Sequence, residues 1–473
     1  MITLADIFEA LINSRPEGTN SAITDAVIDS RLAIPGSMFI ALPGENVDGH
    51  AYVEAALKNG AQVALVQKDI ISDHPIVDLR SVSKQQVVTT PDQPFYIRVE
   101  NCMSSLHKIA HHWRSKLNIK VIGITGSVGK STTKEIIAGV LSQKYRVIKN
   151  PGNYNNEIGL PLTILNITNG YQIAVLEMGF YVPGEISLLC KISLPHVGVI
   201  TNIGTVHAER AGSQEVIRRG KAELLESLPP NPDGFAVLNF DDPMVKSMAE
   251  YTTAKVIYYG TNPEADIWAE DVIGLGIDGI RFTIHYQNES LSIRVPLIGR
   301  HSVHTALRAV AVGLVEKLSW EEIINGLQKS HSQLRLATVN TESGALILDD
   351  SYNASPQSTL AALNLLEEIE GNKIAVLGDM LELGQYERQG HQMVGVRAAE
   401  ICDELILVGK LGEITRLSAI SNGMSENKIH LFENASEVVA YLKTRLKKED
   451  VVLVKGSHGL RLDRVVSSLE VSE

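Results

Sequence analysis

VIGITGSVGKSTT, residues 121–133, decides how the rest of this chain is read. The apolar run 121–124 has the length of a buried strand; Gly126 and Gly129 then break it, and KEIIAGVLSQ continues from Lys130 with helical periodicity. In a strand, glycine loop and helix of this kind the backbone N–H groups turn inward around an anion. The helix adds its positive dipole end, Lys130 reaches the outer phosphates of a nucleotide, and Ser131 offers a hydroxyl to a phosphate-bound Mg²⁺. The general phosphate-loop pattern asks for glycine where Ile124 stands, so only Gly129-Lys130-Ser131 fits it fully. The plain alternative is an ordinary glycine turn between strand and helix.

Outward from this loop, the flanking segments carry polar residues at strand ends. NPGNYNNEIGLPLTIL, residues 150–165, reads as an asparagine-rich loop in which Asn155 and Asn156 suit a polar ligand, or simply as a turn. YQIAVLEMG puts Glu177 at the end of a buried strand, where a nucleotide enzyme places its metal carboxylate. HVGVITNIG leads to His207, a candidate to bind or orient the same ion, and FAVLNFDDP brings Asn239, Asp241 and Asp242 after a further strand. GIRFTIHY and SLSIRVPLI alternate as a hairpin, and a loop holding His301 opens a long helix. The helix IRRGKAELLESL contains Lys221, which residue chemistry alone leaves as a solvated lysine.

On the amino-terminal side, MFIAL, HAYVEAALKNG and AQVALV form a strand-helix-strand unit; Ser30, Arg31, Gly44 and Glu45 beside it are either phosphate ligands or plain loop residues. The polar segment 70–93 reads as an interdomain connection. His107, His111 and His112 share a helix face that reads as solvated more readily than as metal-binding. On the carboxyl side, ALILDDSYNASP, KIAVLGDMLELG, ELILVGKLG and VVLVKGSHG alternate with helical stretches and predict a doubly wound parallel sheet. Asp350, Tyr352, Asn353, Asp379, Lys455 and Ser457 lie at the strand ends, with Asp350 suited to ribose hydroxyls and Lys455 to a phosphate. The expected domains are 1–97, 98–331 and 332–473.

A chain of 473 residues is too long for one core, and 44% hydrophobic with 21% charged residues describes a folded globular protein. The net charge of −12 argues against nucleic-acid and anionic-membrane partners, so contacts to phosphorylated ligands must be local. Cys102, Cys190 and Cys402 have no metal-ligand spacing, which favours a reducing compartment. The first residues carry acids and no basic leader, and no apolar window reaches membrane-span length; a cytoplasmic monomer is expected.

Taken in order, TGSVGKS, NYNNEIGLP, VLEMG, TNIGTVH, RGKAEL, GRH, DDSYNASP, LGDMLELG and VKGS resemble the Mur ligases over nearly the whole chain. DSR and PGSMFIALPGENVDGH resemble the UDP-sugar-binding domain of that family. The resemblance implies an α/β protein of three domains: an N-terminal α/β domain for the UDP substrate, a central phosphate-loop domain with a mostly parallel sheet, and a C-terminal doubly wound Rossmann-like domain. It implies an ATP-dependent amide ligase of peptidoglycan synthesis that joins D-alanyl-D-alanine to a UDP-muramoyl tripeptide through an acyl phosphate. Gly126, Ser127, Val128, Gly129, Lys130, Ser131 and Thr132 would hold the ATP phosphates, and Ser131, Glu177, His207 and a carbamylated Lys221 would serve two Mg²⁺ ions. Asn239, His301, Asp350, Tyr352 and Asn353 are implied at the nucleoside, and Ser30 and Arg31 at the uridine diphosphate, with Gly44, Asn155, Asn156, Lys455 and Ser457 among the substrate contacts. Three departures from the family pattern stand out: Val128 for a small polar residue, Ser302 for asparagine after His301, and Gly220 for alanine before Lys221, the last expected to loosen the helix. The rival readings are the sister ligase that adds the third amino acid, whose DNPR run is absent, a phosphate-loop kinase or switch, and a catalytically silent binding protein.

Overall fold

Short runs, largely apolar in the inner strands, build three mostly parallel sheets. The computed structural model describes residues 1–44, 47–80, 91, 93–205, 208–329 and 337–471. In the first sheet β1 (Ala26–Val27), β2 (Met38–Ile40), β3 (Val63–Val66), β4 (Ile76–Asp78) and β5 (Phe95–Arg98) are parallel, in the order β1-β2-β3-β5-β4. The segment expected to link domains therefore contributes an edge strand. β4 pairs with β5, Ile76 opposite Tyr96, and the boundary expected between 97 and 98 falls inside β5. The residues of β4 are exposed or half-buried, so they lack the apolar signal that marks an inner strand.

The central sheet holds β6 (Lys120–Thr125), β7 (Val147–Lys149), β8 (Ile173–Glu177), β9 (Val197–Ile200), β10 (Phe235–Asn239), β11 (Lys255–Gly260), β12 (Ile267–Gly274), β13 (Ile280–Tyr286) and β14 (Glu289–Val295). Their order is β14-β13-β12-β11-β10-β9-β6-β8-β7, parallel from β7 to β12, with β13 and β14 forming the expected antiparallel hairpin. Chain order reverses at β6, with β8 on one side and β9 on the other. The carboxyl end of β6 is thus the switch point at which open α/β sheets bind ligands. A helix over Gly159–Leu165, in a segment expected to be loop, is wholly buried; Pro161 falls in its first turn, where a missing N–H costs nothing.

The third sheet is made of β15 (Ala337–Asn340), β16 (Leu346–Asp350), β17 (Asn372–Gly378), β18 (Glu404–Val408), β19 (Ile429–Phe432) and β20 (Asp450–Lys455), in the order β15-β16-β20-β17-β18-β19, with β15 alone antiparallel. The four strands read from sequence occupy its middle, and the two others lie at its edges. One hydrophobic core runs without a break from the first sheet through the helix Cys102–Lys116 to one face of the central sheet, whereas the third sheet has two cores of its own. All three cysteines are buried free thiols, pushed up to about 12 by burial. Among the described residues no helix is long and apolar enough to cross a membrane.

At the seam between the first and second sheets, Arg114, 4% exposed, fastens the helix Cys102–Lys116 to the central domain. Its guanidinium donates to the carbonyls of Ser193 (2.7 Å), Leu117 (3.1 Å), Ile119 (3.0 Å) and Leu194 (3.2 Å), so one side chain ties three chain segments. The histidines read as a solvated face are also at this seam: His107 bonds the Glu157 carbonyl and His111 that of Lys191, each at 2.7 Å, and His112 lies 3.4 Å from Glu9. Asp6 and Glu9, which approach His112, are already neutralised by Lys116 and Arg15. Replacing Arg114 by Met strands these buried carbonyls. We expect a loss of about 3 kcal/mol or more in urea unfolding, because each unpaired buried acceptor costs roughly 1–3 kcal/mol.

Candidate active site

β6 ends at Thr125 and the chain turns through Gly126, at φ +149°, and Gly129, at φ +81°. A Cβ on Gly126 would sit 1.8 Å from Thr201 Oγ1, so this corner admits only glycine. The helix Lys130–Leu141 starts directly after, its dipole directed at the loop. The stretch after β9 clamps the loop from the other side. Asn202 accepts from Ser127 N through its carbonyl (3.0 Å) and from Val128 N through its side chain (2.9 Å), Thr201 Oγ1 donates to the Val128 carbonyl (2.7 Å), and Ser127 Oγ accepts from Gly204 N (2.8 Å). TNIGTVH thus matters for Thr201 and Asn202, which sequence reasoning passed over in favour of His207. His207 itself, like Glu45, lies outside the described residues.

Lys130 Nζ donates to the carbonyls of Gly126 (3.0 Å) and Ser127 (3.2 Å) and so hangs over the loop. From below, the helix Gln214–Glu226 sends Lys221, 1% exposed, to the same Gly126 oxygen at 3.0 Å. Two amines on one acceptor repel as cations. Burial first, and the charge of Lys130 second, hold the Lys221 ammonium well below the ordinary lysine value. Lys221 Nζ also lies 4.6 Å from the centre of the Phe180 ring. The ring explains Gly220: a Cβ there would be 2.1 Å from Phe180 Cε2. The glycine does not loosen the helix, as its propensity suggested; it admits an aromatic side chain against the lysine.

Glu177, 1% exposed, ends β8 beside the loop, β8 pairing Glu177 with Ile124. Asn150 bonds its backbone on both sides, accepting from Glu177 N (2.9 Å) and donating to its carbonyl (3.0 Å), and Asn155 Nδ2 donates to Oε1 at 2.8 Å. Oε2 is buried with no hydrogen-bond partner, 3.9 Å from Lys134 Nζ. A buried carboxylate oxygen left over at a phosphate loop fits a hard divalent cation. Lys134, also unforeseen, lies one turn after Lys130 and donates to the Asn150 (2.8 Å) and Gly152 (3.0 Å) carbonyls, fastening the asparagine loop to the helix. Asn156 Oδ1 accepts from Ile158 N and Gly159 N and starts the helix Gly159–Leu165.

The remaining expected residues are spread wider. Ser30 is buried in a turn and Arg31 is exposed on Asp29, while the Gly44 N–H donates to the Val47 carbonyl, all at the first sheet. Asn239 Oδ1 accepts from Asp241 N; His301 is exposed, and Ser302 Oγ donates back to the Ile298 carbonyl at 2.7 Å. In the third domain Tyr352 and Asn353 are exposed, but Lys455, expected on a phosphate, is 2% exposed and donates to Asp350 at 2.5 Å and to the Asn353 carbonyl at 2.9 Å. A fully enclosed lysine finds its counter-charge inside the domain, which also engages the carboxylate expected on ribose. Ser457 Oγ likewise accepts from Leu381 N, and Asp379 from Lys410 N and Leu411 N. The third domain nonetheless touches the loop's clamp: Gln357 reaches Gly204, the Glu382 carbonyl accepts from Glu209 N, and Gln385 donates to the Gly212 carbonyl.

Fold and site together define a three-domain phosphate-loop protein with a paired-lysine centre at the switch point of its middle sheet. Three family models match in series: the Mur ligase family catalytic domain over residues 23–114, the Mur ligase middle domain over 124–313, and the Mur ligase glutamate ligase domain over 334–458. The UDP-N-acetylmuramoyl-tripeptide--D-alanyl-D-alanine ligase of Bacillus subtilis is 34% identical over 460 residues, 96% of this chain and 95% of its own. The enzyme of that name from Escherichia coli is 29% identical, covering 99% and 98%. Crystal structure I of MurF from Acinetobacter baumannii aligns with a TM-score of 0.84 at 28% identity, over 99% of this chain and 98% of that one. MurF ligase from Thermotoga maritima in complex with ADP aligns with a TM-score of 0.79 at 29% identity, over 94% and 96%. The chain belongs to the Mur ligase family.

The Gly220 contact is testable by itself. Gly220→Ala must displace the Phe180 ring, and we expect a loss of about 1–3 kcal/mol in denaturant unfolding, a penalty that should disappear when Gly220→Ala is made in the Phe180→Ala background and compared with that single variant.

Proposed function

We propose that this protein is the ATP-dependent ligase that joins D-alanyl-D-alanine to UDP-N-acetylmuramoyl-tripeptide in peptidoglycan synthesis, releasing ADP and phosphate, and that it works as a cytoplasmic monomer. The observation that carries the chemistry is the pair of amines on the Gly126 carbonyl, next to a strand-end glutamate with an uncommitted oxygen. The likeness over almost the full length to relatives named UDP-N-acetylmuramoyl-tripeptide--D-alanyl-D-alanine ligase supports the substrates.

In this reading the loop amides and the helix start bind the phosphates of ATP, as the ADP complex of the T. maritima relative suggests. Lys130 draws off charge from the γ-phosphate so that the tripeptide carboxylate, itself an anion, can attack it in line. An acyl phosphate forms, ADP leaves, and the dipeptide amine then displaces phosphate from the carbonyl carbon. Ser131, Glu177 and a carbamylated Lys221 would hold Mg²⁺, which when bound neutralises the phosphates. The carbamate arises when the neutral Lys221 amine attacks carbon dioxide: a C–N bond forms and one N–H proton departs to solvent. The depressed ammonium pKa supplies the neutral amine this requires. The third domain, resting on the clamp through Gln357 and Glu382, keeps water from the acyl phosphate.

Phosphate release measured with UDP-muramoyl tripeptide should depend on D-alanyl-D-alanine and not on single amino acids; release driven equally by a single amino acid would reassign the substrate. Lys130→Ala should lower kcat by at least about 100-fold, the scale of losing a charge-stabilising donor, while binding of the UDP substrate persists. Lys221→Ala should be inactive and partly rescued by short carboxylic acids, and full activity without rescue would discard the carbamate.

A further inference from the structure

The helix Val303–Val315 crosses behind the phosphate loop and carries a guanidinium that the mechanism has not used. Arg308 is 5% exposed. Its Nη1 donates to Thr133 Oγ1 at 2.6 Å, Nε to the His304 carbonyl at 3.0 Å and Nη2 to Thr305 Oγ1 at 3.3 Å. A Cβ built on Gly129 would lie 3.7 Å from Nη1, so this cation sits directly against the back of the loop. Its guanidinium carbon is 5.8 Å from the ring centre of buried Tyr259, a neutral neighbour that favours the charge without balancing it. Asp241, which reaches the same helix, is bound to His304 at 2.8 Å and to Thr261.

Among the described residues no carboxylate comes within 4.0 Å of Arg308. Arg114 is a useful contrast. Equally buried and equally without an acid, it is surrounded by four carbonyl oxygens, whose dipoles offset its charge; Arg308 has one carbonyl and two hydroxyls. A buried cation so poorly compensated is costly unless an anion comes near.

We propose that Arg308 is a positioning residue for the nucleotide, an internal cation behind Gly129 and Thr133 whose counter-charge is the polyphosphate bound on the other side of the loop. It acts through Thr133 and through space and does not touch the substrate. The proposal rests on the phosphate-loop reading of residues 126–132.

The test is calorimetric titration of the full-length protein with ADP at fixed Mg²⁺, using wild type, Arg308→Met and Arg308→Lys, beside the KM for ATP. A unit charge a few ångströms from an anion in partly dry surroundings changes affinity about tenfold, so Arg308→Met should bind ADP about 10-fold more weakly. Its KM for ATP should rise in step while kcat stays within about threefold, and Arg308→Lys, which keeps the charge, should bind within about threefold of wild type. Wild-type affinity in Arg308→Met, or equal losses in Met and Lys variants, would overturn the proposal, since packing and not charge would then be at work. Should the Met variant not fold, Arg308→Gln answers the same question. A wild-type protein that does not bind ADP would instead remove the phosphate-loop reading itself, a separate and recognisable failure.

Discussion

One carbonyl oxygen, that of Gly126, organises the centre of this molecule. It is the acceptor for Lys130 from above and for Lys221 from below, and the geometry that presents it exists only because residue 126 lacks a Cβ. Both amines want the charged form in water, yet they cannot both hold it comfortably a few ångströms apart in a dry site. Lys130 is half-buried at the loop, while the fully buried Lys221 is driven toward the free base. A single backbone corner therefore places two chemically identical side chains in unlike surroundings, one half-buried above the loop and one enclosed below it.

The surroundings reinforce that division. Thr201 and Asn202 fix the loop's far side, so Lys130 has a rigid base from which to reach. Asn150 grips the backbone of Glu177 and Asn155 takes one of its oxygens, which leaves the other aimed without competition from a full hydrogen bond. Phe180 excludes water from Lys221, and Gly220 makes room for it.

Much of this was legible in the chain. The strand, loop and helix around residues 121–133 followed from an apolar run, two glycines and a 3.6-residue period, and Glu177 followed from an acid ending an apolar run. What escaped were features whose signal is not local. Asn202 and Lys134 act across contacts between separate elements, and nothing in their neighbours' composition marks them. β4 and β19 are edge strands, the first with no buried residue and the second with only Ile429 buried, so they look like loop. Lys455 stands at a strand end as expected, but its pairing with Asp350 was not legible, because sequence gives position along the sheet and not whether an internal acid stands opposite. Gly220 was judged by propensity, which the Phe180 contact overrides.

The unbroken core beneath the first two sheets has a mechanical corollary. Parting those two domains would bare hydrocarbon, so they travel as one rigid half, while the third domain meets them mainly through hydrogen bonds and the Arg300–Glu368 pair, with Tyr386 and Ile298 as small apolar contacts. Water can replace nearly every one of those links at little cost. The molecule is thereby articulated like a bench with a hinged jaw: stiff where the first two sheets share hydrocarbon, looser where the third domain meets them.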